Sequence, residues 1–417
     1  MLDSRKRKII IVFFVVISVL IAVKRCLIVP AEVQGIDFPK HYIAAERIYN
    51  GGSPYTGEDL YLSFNYPMFV AWAHVPLVLF PNVDVAEKAW DYLNIIMVLL
   101  TALVVMFLCR PPGAGKKISP EEKIPPLKRL FENRWWVPAL FLTFFFAPNT
   151  DGVRPGNIAP QGLLLVTLLG WAVIRKRETA IGVLIGLSTL IKVIPIVLII
   201  PYIFARKWKT VGALGATLGV YLIALAVFGR LDDEWFYVTN VLPNISSRWG
   251  KISYSFPFVA TRLLYAPFYK SPETMKILIT IWNALMFVPY VAICWMKRDV
   301  MRSQRGEMLI FAFGTLLLPM LSPLLEYHHF NWAFPGLVCI IYLIWEGRFP
   351  RRFIIPMLTG FFFLSITGPG PIHDLLTFDR WSLMGITPLI GLYLYIVSAF
   401  LINSPELSPP EKVRDAS

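Results

Sequence analysis

An acid, a lysine and a histidine pair stand where the long apolar runs of this chain break, and these residue types can do transfer chemistry at a membrane surface. Asp37 follows the first apolar run, roughly residues 9–29, by a short link. A carboxylate there can take a proton from an attacking hydroxyl as a general base. The plainer alternatives are a solvated loop acid or a helix N-cap. His328-His329 offers imidazoles for a phosphate or hydroxyl, or simply an interfacial pair; with no acid at metal-ligand spacing, a metal site is not indicated. Lys192 sits between two apolar half-helices. A cation there is costly unless it snorkels to water or meets an anion such as a lipid phosphate. Arg154 shares the turn Asn149–Asn157 with Asp151 and either pairs with it or adds a further phosphate contact. Asp232-Asp233-Glu234 reads as a solvated helix start, with a divalent ion as the alternative occupant.

The frame that must position these residues is apolar. Of 417 residues, 56% are hydrophobic, 14% aromatic and only 16% charged, which excludes an ordinary soluble domain. Recurrent apolar runs imply membrane-spanning helices, because backbone groups in lipid must satisfy one another. The net charge of +13 comes from Lys and Arg clusters lying between those runs. That pattern fits cytoplasmic loops and not a nucleic-acid face. The four cysteines have no CxxC or metal spacing and read as inert core residues. The basic start Arg5–Lys8 precedes a run without a small-residue cleavage site, so an uncleaved first span is expected.

Charge placement sets the expected topology. Basic clusters at 110–134, 175–177, 206–209, 297–305 and 348–352 are assigned to the inside. Residues 65–81, broken by Pro67, Pro76 and Pro81, are then a juxtamembrane or re-entrant segment against the outer face. The stretch 178–205 becomes two short helices meeting at Lys192 on the outer side. The expectation is an all-α polytopic membrane protein with about twelve spans and both termini cytoplasmic, in a prokaryotic cell membrane. Residues 1–403 form one domain, including an outer active-site segment at 30–81 and an outer loop at 229–273. A polar, Pro-rich cytoplasmic tail, read as disordered, covers 404–417.

The order of short motifs resembles glycosyltransferase family 87, the polyprenol-phosphate-mannose-dependent mannosyltransferases of the GT-C superfamily. The motifs are Gly35-Ile36-Asp37-Phe38 with Tyr42, then Gly52-Ser53-Pro54-Tyr55, then Asn65-Tyr66-Pro67. Gly156-Asn157, the glycine-rich run Gly182–Leu187 leading to Lys192 and Pro195, and Ser322-Pro323 before His328-His329 complete the order. Where the family usually has Gln after the glycine, this chain has Asn157, with Gln161 one turn later. The resemblance implies a GT-C-like fold and transfer of a hexose, mannose in the family, from a polyprenyl-phosphate donor to a lipid or glycan acceptor, with inversion. It implies Asp37 as base; His329 or His328, Lys192 and Arg154 are the candidates for the donor phosphate, and Tyr42, Tyr55, Tyr66 and Asn157 those for substrate binding. It implies no cofactor; a divalent cation is compatible with the chemistry but not indicated. Membrane lipids are the remaining expected partners, and nucleic acid is not. A secondary transporter or lipid-linked-sugar translocase is the competing class. Transporters place charges near the midplane and often show repeat halves, whereas here polar residues gather on one face and no repeat is evident.

Overall fold

The computed structural model of the protein describes residues 37–55, 64–108, 136–151, 153, 156–245, 257, 272–322, 325–366 and 380–404, together with Val16 and Leu20. The expected first span, Arg154, the basic loop at 110–134 and the tail therefore lie outside the described residues. Among those described, the chain is all helix, and it is an all-α membrane protein.

Helix α1 (Phe38–Tyr49) is followed by α2 (Met68–His74), which tightens into a 3-10 turn at Val75–Leu79. Residues 68–79 are thus a short helix and a turn, as the prolines of this segment require. Next come α3 (Val83–Leu108), α4 (Trp136–Phe145), the single turn α5 (Pro148–Asp151) and α6 (Ala159–Ile174). Helix α7 (Glu178–Ile191) stops at Lys192, whose backbone is extended. A 3-10 turn (Ile194–Ile199) and α8 (Ile200–Phe204) complete the broken pair. Pro195 and Pro201 each start one of these pieces, where the missing N–H costs nothing.

Helix α9 (Trp208–Val227) leads into α10 (Leu231–Phe236) and one further turn through Asn244, so the front of the 229–273 segment is helical instead of a plain loop. Then follow α11 (Pro272–Met296), α12 (Gln304–Met320), a 3-10 turn (Tyr327–Ala333), α13 (Phe334–Trp345), α14 (Ile354–Ile366) and α15 (Arg380–Asn403).

Burial sorts the helices into centre and rim. Every residue of α12 from Gly306 to Met320 is buried, so this helix is apolar all round and central. It packs on α13 and α15. Helix α11 instead shows Ile277, Ile281, Leu285 and Val288 outward, a stripe at helical spacing. Val220, Ile223 and Val227 do the same on α9. Such outward apolar stripes suit lipid contact. Helices α3, α9 and α11 are each long and apolar enough to cross a membrane. Close α7–α9 packing depends on Gly182 and Gly186: a Cβ on Gly186 would come within 2.8 Å of Thr217.

Candidate active site

The site is assembled from four breaks between helices. Asp37 precedes α1 and makes no side-chain cap to it, so the carboxylate is available for other contacts. Lys40, one turn along the same helix, forms an ion pair with Asp37 Oδ1. The other oxygen, Oδ2, accepts a 2.8 Å hydrogen bond from Asn157 Nδ2. Both oxygens are therefore held.

Asn157 is itself fixed. Its Oδ1 accepts from the Ala159 N–H at 2.9 Å, starting α6, and its Nδ2 also lies 3.4 Å from the Tyr66 hydroxyl. Its carbonyl accepts from Asn94 on α3 at 3.1 Å, and Asn94 accepts in turn from Gln161 at 2.7 Å. The preceding Gly156 has φ +67, and a Cβ there would meet Phe38 Cβ at 2.8 Å. Only glycine fits both the backbone and the space. Trp90 donates to the Gly156 carbonyl at 2.9 Å.

The second half comes from the turn before α13. The Glu326 N–H donates to His329 Nδ1 at 3.0 Å, closing a reciprocal cap on the 3-10 turn. That bond makes Nδ1 an acceptor, so a neutral ring carries its proton on Nε2. His329 Nε2 lies 2.7 Å from Lys192 Nζ. Burial pushes Lys192 down to about 7, with Glu326 pulling the other way, so its amine can present a lone pair to that proton. His328 Nδ1 is 3.5 Å from Glu326 Oε2 and 3.9 Å from Asp151 Oδ2. Burial lowers His328 to about 4 although Asp151 and Asp37 pull it upward, keeping it neutral near pH 7.

A cleft of about 590 Å³, part of it continuous with solvent, opens among these groups. Lys40, Tyr66, Lys192, Ser322, Glu326 and His329 line it, with Tyr237 and Leu242 from the turn after α10. Its floor is ionic. Burial opposes ionisation of Asp37, but Lys40 and the Asn157 amide outweigh it and hold the carboxyl below the usual range. Burial would discharge Lys40, but Asp37, Tyr66 and Glu326 overcome it and push the amine up. Glu326 is raised to about 7 by burial and by the nearby Asp37 charge.

The structure thus gathers Asp37, Asn157, Tyr66, Lys192, His328 and His329 in one place. Asp37 does not line the cleft but backs onto it through Lys40. Tyr42 and Tyr55 are also off the wall: Tyr42 packs on Phe38, and Tyr55 stacks on Tyr237 while donating to the Tyr66 carbonyl at 3.0 Å. They brace the site. Glu234, read from sequence as solvated, turns inward. It accepts from the Met68 N–H at 3.0 Å and the Tyr221 hydroxyl at 2.9 Å, capping α2. Lys40 and Glu326 were not foreseen as site residues. The i,i+3 spacing of Lys40 from Asp37 on a helix was the available signal for the first. For the second it was an acid two residues before a histidine pair. No cluster of three or more His, Cys, Asp or Glu suited to a metal ion occurs among the described residues.

A sequence model of glycosyltransferase family 87 matches residues 64–323, more than half of the chain. No curated protein matches it. Lys192, Tyr66 and Asn157 fall inside the matched segment, while Asp37, Lys40, Glu326 and the histidine pair fall outside it. With its membrane helices and that match, the chain belongs to glycosyltransferase family 87 and is a membrane glycosyltransferase.

Proposed function

We propose that the protein transfers a hexose, mannose by the family resemblance, from a polyprenyl-phosphate donor to a lipid or glycan acceptor on the outer face of the membrane. The observation that carries this reading is a single cleft with two lysines and a histidine on its wall and a buried carboxylate behind it. The cations suit a lipid phosphate, and the carboxylate suits a base. In the proposed reaction an acceptor hydroxyl oxygen attacks the anomeric carbon and its proton passes to Asp37. The bond between that carbon and the phosphate oxygen breaks, and the lipid leaves as a phosphate monoester carrying one more negative charge. One displacement inverts the anomer. Lys192, with His329 beside it, faces the phosphate where that charge grows, the position at which preorganised donors act most strongly. Tyr66 and Asn157 hold the Asp37 side of the cleft. Arg154 is a further phosphate contact. The basic clusters 175–177, 206–209 and 297–305 support the outward orientation.

The test uses full-length protein in lipid nanodiscs with a short-chain polyprenyl-phosphate mannose, radiolabelled in the sugar, and a membrane lipid extract as acceptor. Label should move to the acceptor fraction with the anomeric configuration inverted, and prenyl phosphate should be released in equal amount. Equal transfer from a nucleotide-linked mannose, or no acceptor-dependent release, would sink the reading.

A further inference from the structure

Lys40 occupies an unusual place in this site. It is buried, 9% exposed, and lines the cleft, whereas its partner Asp37 does not. An anion entering the cleft therefore meets Lys40 before it meets the carboxylate. Asp37 is engaged on both oxygens, by Lys40 on one and Asn157 on the other. A carboxylate held by an ammonium is a poor proton acceptor. A phosphate that takes Lys40 as a ligand must draw it from its present partner, Asp37. Lysine suits such an exchange, being a compact charge on a flexible stem. The Asn157 amide cannot follow, because it is tied to the Ala159 N–H at the start of α6.

We propose that Lys40 is an exchangeable cation that moves from Asp37 to the donor phosphate when the donor enters, so that the base is released only in a loaded site. This rests on the donor-phosphate reading of the cleft. One movement would place a second ammonium on the leaving group and free one carboxylate oxygen for the acceptor hydroxyl. It would also favour an order in which donor binds before the base becomes competent, which limits proton transfer in a half-filled site. Lys40 is then a positioning residue for Asp37 and a direct ligand of the phosphate.

Binding of farnesyl phosphate to the full chain in nanodiscs, with farnesol as the uncharged control, tests the exchange without any acceptor. Asp37→Asn should tighten farnesyl phosphate about tenfold, because Lys40 no longer has to leave a carboxylate, and Lys40→Met should weaken it by about as much. In the double variant the gain from Asp37→Asn should vanish, leaving the affinity of Lys40→Met alone. If the gain persists without Lys40, Asp37 merely repels the anion and the exchange is overturned. If Asp37→Asn binds no tighter than wild type, it is likewise overturned. Should Lys40→Met fail to fold, Lys40→Gln takes its place in the cycle. Farnesol binding as well as farnesyl phosphate would overturn the donor reading itself, an outcome distinct from phosphate-dependent binding with no Asp37→Asn gain.

Discussion

Two buried ion pairs in this molecule look alike and are put to different uses. Lys207 and Glu307 meet at 2.6 Å across 100 residues of sequence. Lys207 immediately precedes α9 and Glu307 lies in the first turn of α12, so their contact fastens a rim helix to the central one. Asp37 and Lys40 are three residues apart on one helix, and their ion pair ties no distant elements together. It is Asn157, 120 residues away, that anchors this second pair. Burial is similar in both, with Glu307 3% and Asp37 7% exposed. What separates them is the cleft: Lys40 lines it, and the Lys207–Glu307 pair does not. A buried pair that spans the fold acts as a fastener, while a local pair facing open space is free to change partners.

The largest expected effect breaks the comparison at its working end. Asp37→Asn keeps the size of the side chain and loses the basic oxygen. Transfer should fall about 100-fold or more, the general-base contribution, even though farnesyl phosphate binds more tightly to this variant. Because Asp37 makes no side-chain cap to α1, helix capping gives no competing account of the loss. Initial rates on monodisperse protein decide it. Near-normal turnover would remove Asp37 from the mechanism and turn attention to Glu326 or Asp151.

The fastener should fail differently. Glu307→Gln leaves Lys207 facing a neutral amide, and since Lys207 is 17% exposed it can turn toward water. The expected cost is about 2 kcal/mol of stability, below that of stranding a fully buried charge. Thermal unfolding in nanodiscs measures it. Transfer well below the unfolding temperature should be unchanged; a rate loss matching that of Asp37→Asn would erase the distinction between the two pairs.

Much of this architecture was legible in the chain because membrane helices write their positions in hydropathy. The sequence placed short helices at 178–191 and 193–205; the structure has α7 at Glu178–Ile191, then a 3-10 turn and α8. The break was readable because Lys192 and Pro195 violate the surrounding pattern. The ionic network was less legible. Nothing in one sequence says that Asn157 reaches Asp37, because that contact depends on how α1 and α6 pack. Glu234 was misread as solvated because its partners, Met68 and Tyr221, come from two other helices. Tyr42 and Tyr55 fell in the right segment, but only packing shows that they brace the wall and do not form it.

The smallest effect sharpens the comparison by asking how the cleft's other lysine carries its charge. Lys192 sits at about 7, lowered by burial, and a lysine binds phosphate as a cation only below its pKa. Glu326 also sits at about 7 and becomes an anion as pH rises through that value. Both changes run in one direction. The cleft loses positive charge and gains negative charge on going from pH 6 to pH 8, so methyl farnesyl phosphate, a diester whose single charge does not titrate in this range, should bind more weakly at the higher pH. The bound anion itself raises the lysine pKa, which moves part of the loss above 7 and limits the fall to roughly three- to tenfold. Lys192→Arg separates the two contributions, since guanidinium stays charged throughout the range. That variant should retain only the smaller, Glu326-dependent slope, and combining it with Glu326→Gln should flatten the profile. Binding measured at four pH values across this range, in all three proteins, is sufficient. A wild-type affinity that does not change with pH would mean that neither Lys192 nor Glu326 changes its charge across this range.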